Sequence, residues 1–525
     1  MKKLFTLAIV MTMLFSVVPA FGLELQSGAD MYPIKTDKTI TWYAESNISP
    51  HEKFTNYTES PFHTGLSEVT GIPVEWSFPP AGTQSNVFTN TLLADPTNLP
   101  DIMWGAFMND ASLYLEDEMI WDLTPYLEEY APAYYAFLKS NEAYDRAMKN
   151  DAGQYYGFGF FREDGGWNDT YLGPVIRTDW LKEAGLEIPK TISEFETVIR
   201  AFNEKHGAKL SFANNRVNTT GLSGAFGAFG QESLQYFVKD GKVGLAQAQP
   251  EWRAYVAWLN KLWNDGLLDQ DFLALDDTSI KGKIHNDMTG ISITSMGQLN
   301  NWNKERVAES KDGVWVGIPY PTGDDGTLSM VFGGAGIGTS VAMITKSADE
   351  DTMKVALQLL NYAYTKEGFN YWNFGKEGVS WEMGADGQPQ LTALVTDDKD
   401  TDPLVKYGGA TWSGPCIQAT RLLYMKNSDV AIDANDTWFY PNEAVSAYWK
   451  WPVGANFTVE ESDELKIVGT SLGTFVPESF GRFVTGASDI NSDAAWEEYL
   501  KTLDSYDLQR VLEIRQACYD RYLAR

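Results

Sequence analysis

Apolar positions recur along this chain in two rhythms that trade places. Short apolar or alternating runs, the spacing of a strand, fall at Thr39–Ala44, Ile72–Phe78, Asp101–Trp104, Tyr156–Phe161, Pro174–Arg177, Gly290–Ser295, Val314–Ile318 and Gly336–Ile344. Between them the period lengthens to that of an amphipathic helix. Thr191-Ile192-Ser193-Glu194 is a capping box, in which the Thr191 hydroxyl accepts from the Glu194 amide while the Glu194 carboxylate reaches back. Ile192, Phe195, Val198, Ile199 and Phe202 then share one face, and Gly207 is placed to end the helix. A second stripe, Trp252, Tyr255, Val256, Leu259, Leu262 and Trp263, ends at Gly266 and leaves Trp258 off its face. A third helix is predicted over Thr352–Tyr364, with Met353, Ala356, Leu357, Leu360 and Tyr364 inward. Strands alternating with helices, without an internal repeat or a low-complexity tract, predict an α/β chain of several βα units.

The first residues break that rhythm. Lys2 and Lys3 precede Leu4–Val18, a nearly unbroken apolar run, and Ala20 and Gly22 put small residues at the −3 and −1 positions of a cut before Leu23. This is the pattern of a secretory signal peptide over residues 1–22, shorter than the roughly 20 apolar residues a membrane span needs. No second run of that length follows, and Cys416 and Cys518 both lie far from the cut. The expectation is an exported chain without a lipid anchor.

Composition narrows the class further. With 44% hydrophobic and 21% charged residues, the chain has the makeup of a folded globular protein, long enough for two or three core-bearing units. Two cysteines in so long a chain exclude a disulfide scaffold, and whether they pair stays open. A net charge of −30 repels phosphate backbones and anionic lipid, which argues against nucleic acid and membrane surfaces as partners.

Templates for catalysis fit poorly. His51, His63, His206 and His285 form neither H-E-x-x-H nor a zinc-ligand spacing. Gly221-Leu222-Ser223-Gly224-Ala225 approaches a nucleophile elbow, but Ala225 replaces the last glycine and the preceding residues read as loop. Gly333–Gly338 matches neither a dinucleotide-binding fingerprint nor a P-loop and reads as a lead into the next strand. Asp398, Asp400 and Asp402 begin like a calcium loop, yet Pro403 stands where its glycine is needed and Gly409 where its bidentate glutamate belongs, leaving a solvated acidic loop. No cofactor and no metal is expected. A carboxylate pair for glycoside hydrolysis stays open, because spacing in sequence gives no distance in space.

The aromatic inventory points elsewhere. Many of the 18 tryptophans stand at strand ends or in polar loops, among them Trp42, Trp104, Trp167, Trp412 and Trp449. A pyranose ring offers an apolar C–H face that stacks on an indole, while its hydroxyls need polar side chains at the edge. The carboxyl ends of parallel strands are where open α/β sheets place ligands.

Several blocks then resemble a known family: Leu99–Trp104; Gly173–Leu181 with Ala184-Gly185-Leu186 and Pro189–Phe195; Lys239–Lys242 with the Trp252–Leu268 stretch; and the close from Trp496 to Tyr522. In this order, over nearly the whole chain after the leader, they resemble the large bacterial extracellular solute-binding proteins of carbohydrate ABC transporters, the oligosaccharide-handling subgroup. The resemblance implies a two-lobed periplasmic-binding-protein fold of type II, with a hinge and with lobes discontinuous in sequence. It places lobe 1 at 31–155 plus 323–400, lobe 2 at 172–317 plus 410–525, and hinge crossings at 156–171, 318–322 and 401–409. It implies a cleft with Trp42, Tyr43, Glu45 and Trp104 at the strand ends of the first lobe. The loops around Arg162, Trp167, Met296 and Gln298 would face it from the second, and Trp412 with Glu443 and Trp449 would complete it. Many members carry a calcium loop after the helix matching Thr191–Phe202; here that stretch is Asn203-Glu204-Lys205-His206-Gly207-Ala208-Lys209, and no metal is carried over. The implied function is a monomeric periplasmic receptor, not an enzyme, which delivers an oligosaccharide to a membrane permease. A secreted glycoside hydrolase or lyase and a receptor for peptides or other small solutes stand as alternatives.

Overall fold

The structure, a computed structural model, describes residues 24–45, 59–80, 83–167, 170–212, 222–228, 234–329, 336–398, 404–410, 414–446 and 451–525, with side chains of the 429–446 helix up to Phe439. The leader at 1–22, Trp412, Trp449 and the Glu443 side chain lie outside the described residues. The two main sheets use, in chain order, β1 (Ile40–Ala44), β2 (Val74–Ser77), β3 (Ile102–Gly105), β4 (Phe158–Arg162), β5 (Leu172–Arg177), β6 (Ile291–Ser295), β7 (Trp315–Gly317), β8 (Ile337–Ile344) and β9 (Ile417–Gln418). The helices that position the site are α1 (Ile192–His206), α2 (Pro250–Asn264), α3 (Met296–Ala308), α4 (Glu350–Tyr362), α5 (Thr420–Lys426), α6 (Asp429–Ser446), α7 (Val459–Thr485) and α8 (Leu508–Ala524).

Lobe 1 is built on a six-stranded sheet in the order β9-β4-β8-β3-β1-β2. The β1 strand pairs in parallel with β2 and β3, and β9 in parallel with β4, while β8 runs antiparallel to both β3 and β4. Five strands therefore point one way and β8 the other. Covered on both faces, β3 and β4 are buried throughout, as their continuous apolar runs require. Lobe 2 holds a three-stranded sheet, β6-β5-β7, antiparallel throughout, with Leu172 opposite Ser295 and Val175 opposite Gly317. The α6 helix lies so close over this sheet that a Cβ on Gly317 would sit 2.3 Å from Ala434 Cβ. Each lobe has its own apolar core. One gathers Ile40 to Leu422 around the larger sheet, and the other gathers Ile176 to Val511 around α1, α2, α7 and α8.

The helices follow their sequence signals with instructive exceptions. The Thr191 capping box forms with both bonds present, and Gly207 closes α1 in the left-handed conformation at φ 66°. The α4 helix starts at Glu350, before the expected Thr352, because Asp349 caps it by accepting from the Thr352 amide at 2.7 Å. On α2, Trp258 is buried against Phe226 and Tyr255, whereas Trp263 is half-buried. Phe226 comes from a remote short helical turn, so the local stripe does not reveal it.

The lobe boundaries differ from the expected ones. The β4 strand belongs to the lobe 1 sheet, so the first crossing begins only after Arg162. Residues 323–329 stay on lobe 2, where the Gly323 amide donates to Thr327 O at 2.7 Å and the Ser329 amide donates to Gly224 O at 3.0 Å. Ser329 is thus still held on lobe 2, and the chain is next described at Gly336, at the start of the lobe 1 strand β8. The Gly409 and Ala410 amides both donate to Trp372 O in lobe 1, and β9 pairs with β4, which moves the third crossing past Gln418. A strand of two residues has no periodicity to read. Asp398 is also not solvated: it is paired with the buried Lys406 at 2.6 Å. Cys416 and Cys518 are free and buried, the first in the lobe 1 core and the second beside Ala455 and Tyr522.

Candidate ligand-binding cleft

Strand direction decides which edge of lobe 1 faces lobe 2. The carboxyl ends of β1, β3, β4 and β9 and the amino end of β8 lie along one edge, and all three crossings leave or enter there. In lobe 2 the amino end of β5 and the carboxyl ends of β6 and β7 face back, since β5 receives the first crossing and its neighbours run antiparallel. The groove between these edges is the candidate cleft.

On the lobe 1 side, Glu45 follows β1. Its amide donates to Trp104 O at 2.9 Å, and burial pushes its carboxyl above the usual range although the Ala106 amide donates to it. Gly105 makes room for that carboxylate, because a Cβ there would stand 2.7 Å from Glu45 Oε2. The rings expected around Glu45 serve the core. Trp42 is 1% exposed and stacks on Trp76 at 4.5 Å, and Trp104 is likewise 1% exposed. Tyr43 is buried, shares a 2.8 Å hydrogen bond with Thr89, and burial pushes its hydroxyl up to about 12. Strand-end position is right for all three, but their rings turn into lobe 1 and offer no open stacking face in this conformation.

The hinge edge is more elaborate. Arg162 ends β4 in lobe 1, not in the second lobe, and is buried with Nη1 donating to Gln418 Oε1 at 3.0 Å. Gln418 in turn donates to Ala410 O at 2.7 Å. The first and third crossings are tied by two further bonds: Glu163 N donates to Gln418 O at 3.0 Å, and Thr420 N donates to the Glu163 carboxylate at 2.9 Å. Burial raises the Glu163 carboxyl against the pull of that amide, and neighbouring Asp164 adds to the rise.

Trp167 sits where the first crossing meets lobe 2. Its Nε1 donates to Asp436 Oδ1 at 2.7 Å, Asn435 Nδ2 donates to its carbonyl at 3.0 Å, and its ring stacks on Tyr424 at 5.7 Å and 10°. Burial raises the Asp436 carboxyl, the Trp167 N–H opposes that, and Asp433 adds to it. On the facing edge, the Met296 amide donates to Tyr171 O at 2.8 Å, and the Ser295 hydroxyl caps α3 by accepting from Gln298 N at 3.2 Å. Met296 is buried and Gln298 half-buried. The fold thus brings Glu45, Arg162, Trp167, Met296 and Gln298 to the two facing edges. It adds Tyr424, Asn435 and Asp436, which no local pattern marks, since Asp436 reaches Trp167 across 269 positions of sequence.

Residues 52–368, more than half of the chain, match the family of bacterial extracellular solute-binding proteins. The chain belongs to that family. Its members are binding proteins that work outside the cytoplasm, and among the described residues no helix is long and apolar enough to cross a membrane. This solute-binding protein is 22% identical to the fructooligosaccharide ABC transporter substrate-binding protein FusA of Streptococcus pneumoniae serotype 4 (strain ATCC BAA-334 / TIGR4), over 98% of each chain. It is 23% identical to the polygalacturonan/rhamnogalacturonan-binding protein YtcQ of Bacillus subtilis (strain 168), over 61% of this chain and 63% of that one. Among solved structures it resembles alginate-binding protein AlgQ2 without calcium ion, at a TM-score of 0.74 and 21% identity, covering 92% of this chain and 99% of that one. The shared fold is the two-lobed periplasmic-binding-protein fold of type II. Calcium, named for AlgQ2, finds no cage among the described residues, which hold no group of three or more His, Cys, Asp or Glu able to take a metal ion. Just past α1, the Ser211 hydroxyl donates to the Asp269 carboxylate at 2.7 Å, and Lys283 Nζ pairs with the same carboxylate at 2.8 Å.

Proposed function

We propose that this chain is the receptor of an ABC importer, which captures an oligosaccharide between its lobes and hands it to the membrane permease. One observation carries the reading: the relative named for fructooligosaccharide transport matches over 98% of both chains, so lobes, crossings and cleft edges all have counterparts there. The chemistry of the cleft agrees. Carboxylates and amides at Glu45, Gln298 and Asp436 suit sugar hydroxyls, and the exposed Tyr424 ring, backed by the buried Trp167, suits a pyranose or furanose face. Arg162 acts behind the cleft by holding Gln418, and Met296 supplies an apolar wall. Trp42, Tyr43 and Trp104 are the packing behind the strand ends, while Trp412, Glu443 and Trp449 are carried as ligand-binding residues on the family resemblance alone.

The receptor carries out no covalent chemistry. The leader at residues 1–22 directs export, and the mature chain works as a periplasmic monomer. Closure has to give every buried sugar hydroxyl a partner, since an unpaired buried polar group costs about 1–3 kcal/mol. That requirement is the source of specificity. The test is titration of the mature protein with an oligosaccharide panel, read by tryptophan fluorescence and calorimetry, with reducing ends measured after long incubation. Saturable binding without new reducing ends is expected. Turnover would make the protein an enzyme, and binding of peptides with no response to sugars would make it a receptor of another class.

A further inference from the structure

Four successive carbonyls just past α1 each receive a protein donor. Ala208 O accepts from Asn203 Nδ2 at 3.1 Å, Lys209 O from the Thr289 hydroxyl at 2.8 Å, Leu210 O from the Asp269 amide at 2.9 Å, and Ser211 O from the Ser292 hydroxyl at 2.6 Å. Thr289 precedes β6 and Ser292 lies on it, so this stretch is fastened to the strand that ends at Ser295 on the cleft edge.

Asp269 closes the set from the other side. Only 5% exposed, it accepts from the Ser211 hydroxyl at 2.7 Å and from the Asp271 amide at 3.0 Å, and it pairs with Lys283 Nζ at 2.8 Å. The same Nζ stands 3.6 Å from the Asp271 carboxylate. Lys283 comes from the last turn of the Asp277–His285 helix, and its side chain is 18% exposed. Burial would raise the Asp269 carboxyl, but Lys283 and Ser211 hold it below the ordinary carboxylate range. A carboxylate this buried requires a paired cation, and here the cation is covalently part of the chain.

We infer that Lys283 is the built-in cation of this loop, and that lobe 2 holds the loop against β6 with no divalent ion. The name of AlgQ2 refers to calcium, so the two folds part at this point. Calcium gathers roughly six to eight oxygens at about 2.3–2.6 Å. Here the carbonyls of 208–211 already face N–H and O–H donors, and the ammonium fills the place beside Asp269 where an ion would have to sit. An ion entering there meets a like charge that cannot diffuse away. This inference goes beyond the receptor reading and does not depend on it.

The experiment is scanning calorimetry of the mature protein at neutral pH, in EDTA and in millimolar calcium chloride, with ionic strength matched by sodium chloride. The natural protein is expected to melt at the same temperature in both, within about 1 °C. Lys283→Met keeps the stem but leaves Asp269 unpaired, so its midpoint in EDTA should fall by at least about 4 °C. Lys283→Glu sets a third carboxylate beside Asp269 and Asp271. It should melt lower still in EDTA and regain about 3–6 °C in calcium, the gain for an ion at ~10 times a dissociation constant near ~0.1 mM. A role of Lys283 in packing alone would give no such recovery. A natural protein that gains more than about 2 °C from calcium overturns the inference. So does a Lys283→Met midpoint equal to the natural one, or a Lys283→Glu midpoint that calcium does not move. If Lys283→Glu fails to fold, the natural protein and Lys283→Met decide the matter. None of these outcomes bears on the receptor reading, which the saccharide titration tests.

Discussion

Replacing Trp167 with Phe isolates one bond at the junction of hinge and lobe 2. Phenylalanine keeps a ring against Tyr424 but removes the N–H that Asp436 Oδ1 receives at 2.7 Å. A hydrogen bond to a charged acceptor contributes about 1.5–3 kcal/mol. For a lobe of roughly 150–250 residues, each kcal/mol moves the midpoint about 2–4 °C, so a fall of about 3–12 °C is expected at pH 7. The pH dependence follows from Asp436. Its folded-state pKa is raised by burial, so between the unfolded value near ~4 and the raised value the folded state holds more protons than the unfolded one. Stability therefore falls as pH climbs through that window and then levels. The Trp167 N–H favours the anion and narrows the window; its loss widens it. The variant should match the natural protein most nearly below about pH 4 and differ fully at pH 7. Calorimetry from pH 4 to 8 reads both quantities. A midpoint within about 1 °C of the natural protein at pH 7, or a deficit that grows on acidification, would refute the reasoning.

Two further perturbations test the frame around the cleft. Asp287 joins Arg177 at 2.5 Å and Arg306 at 2.8 Å, and those cations are only 4% and 5% exposed in their side chains. Burial would raise the Asp287 carboxyl, but the Arg306 and Arg177 bonds outweigh it and hold the group low, so its contribution is present above about pH 4 and lost as pH falls. Asp287→Asn suits the left-handed backbone at φ 53° and should cost about 1–3 kcal/mol at pH 7, discounted for the solvent reaching the carboxylate, with a shallower acid limb in calorimetry. Asp151 ties lobe 1 to α8 by accepting from Arg521 Nε at 2.7 Å and pairing with Arg525 Nη2 at 2.6 Å. Asp151→Asn should speed amide exchange in the last two turns of α8 without changing exchange in α1, and equal exchange in both proteins would count against that tether.

What could be read from sequence was what neighbours in sequence decide. The Thr191–Glu194 capping box, the inward stripe of α1 and the glycine stop at Gly207 need only residues within one or two turns, and each forms as expected. Strands β1, β3 and β5 were visible as apolar runs for the same reason. The readings that moved depend on remote partners. Trp258 looked exposed from its own helix, yet Phe226 covers it. The Trp42 and Trp104 positions were right for a strand end, but a period of two says which face a side chain takes, not whether another layer lies over that face. Trp76 and Trp372 supply that layer for Trp42. Arg162 looked like a loop residue because β9, the strand that makes β4 interior, has only Ile417 and Gln418 and carries no pattern.

On the proposed reading, the hinge and the floor of the candidate cleft are made of the same residues, and this follows from strand direction. Because five of six strands in the larger sheet point toward lobe 2, the chain segments that leave their carboxyl ends start at the edge that borders the candidate cleft. Glu163 thus stitches the first crossing to the third through Thr420, four residues before Trp167 meets Asp436. A ligand that displaces or strengthens either contact changes the relative positions of the crossings, so it has a differential affinity for open and closed arrangements without any separate relay. The consequence is that affinity and closure cannot be tuned apart at these positions. Substitutions at Glu45, in front of the hinge, should alter which sugar is held, whereas those at Glu163 should alter how far the lobes close on whichever sugar is present.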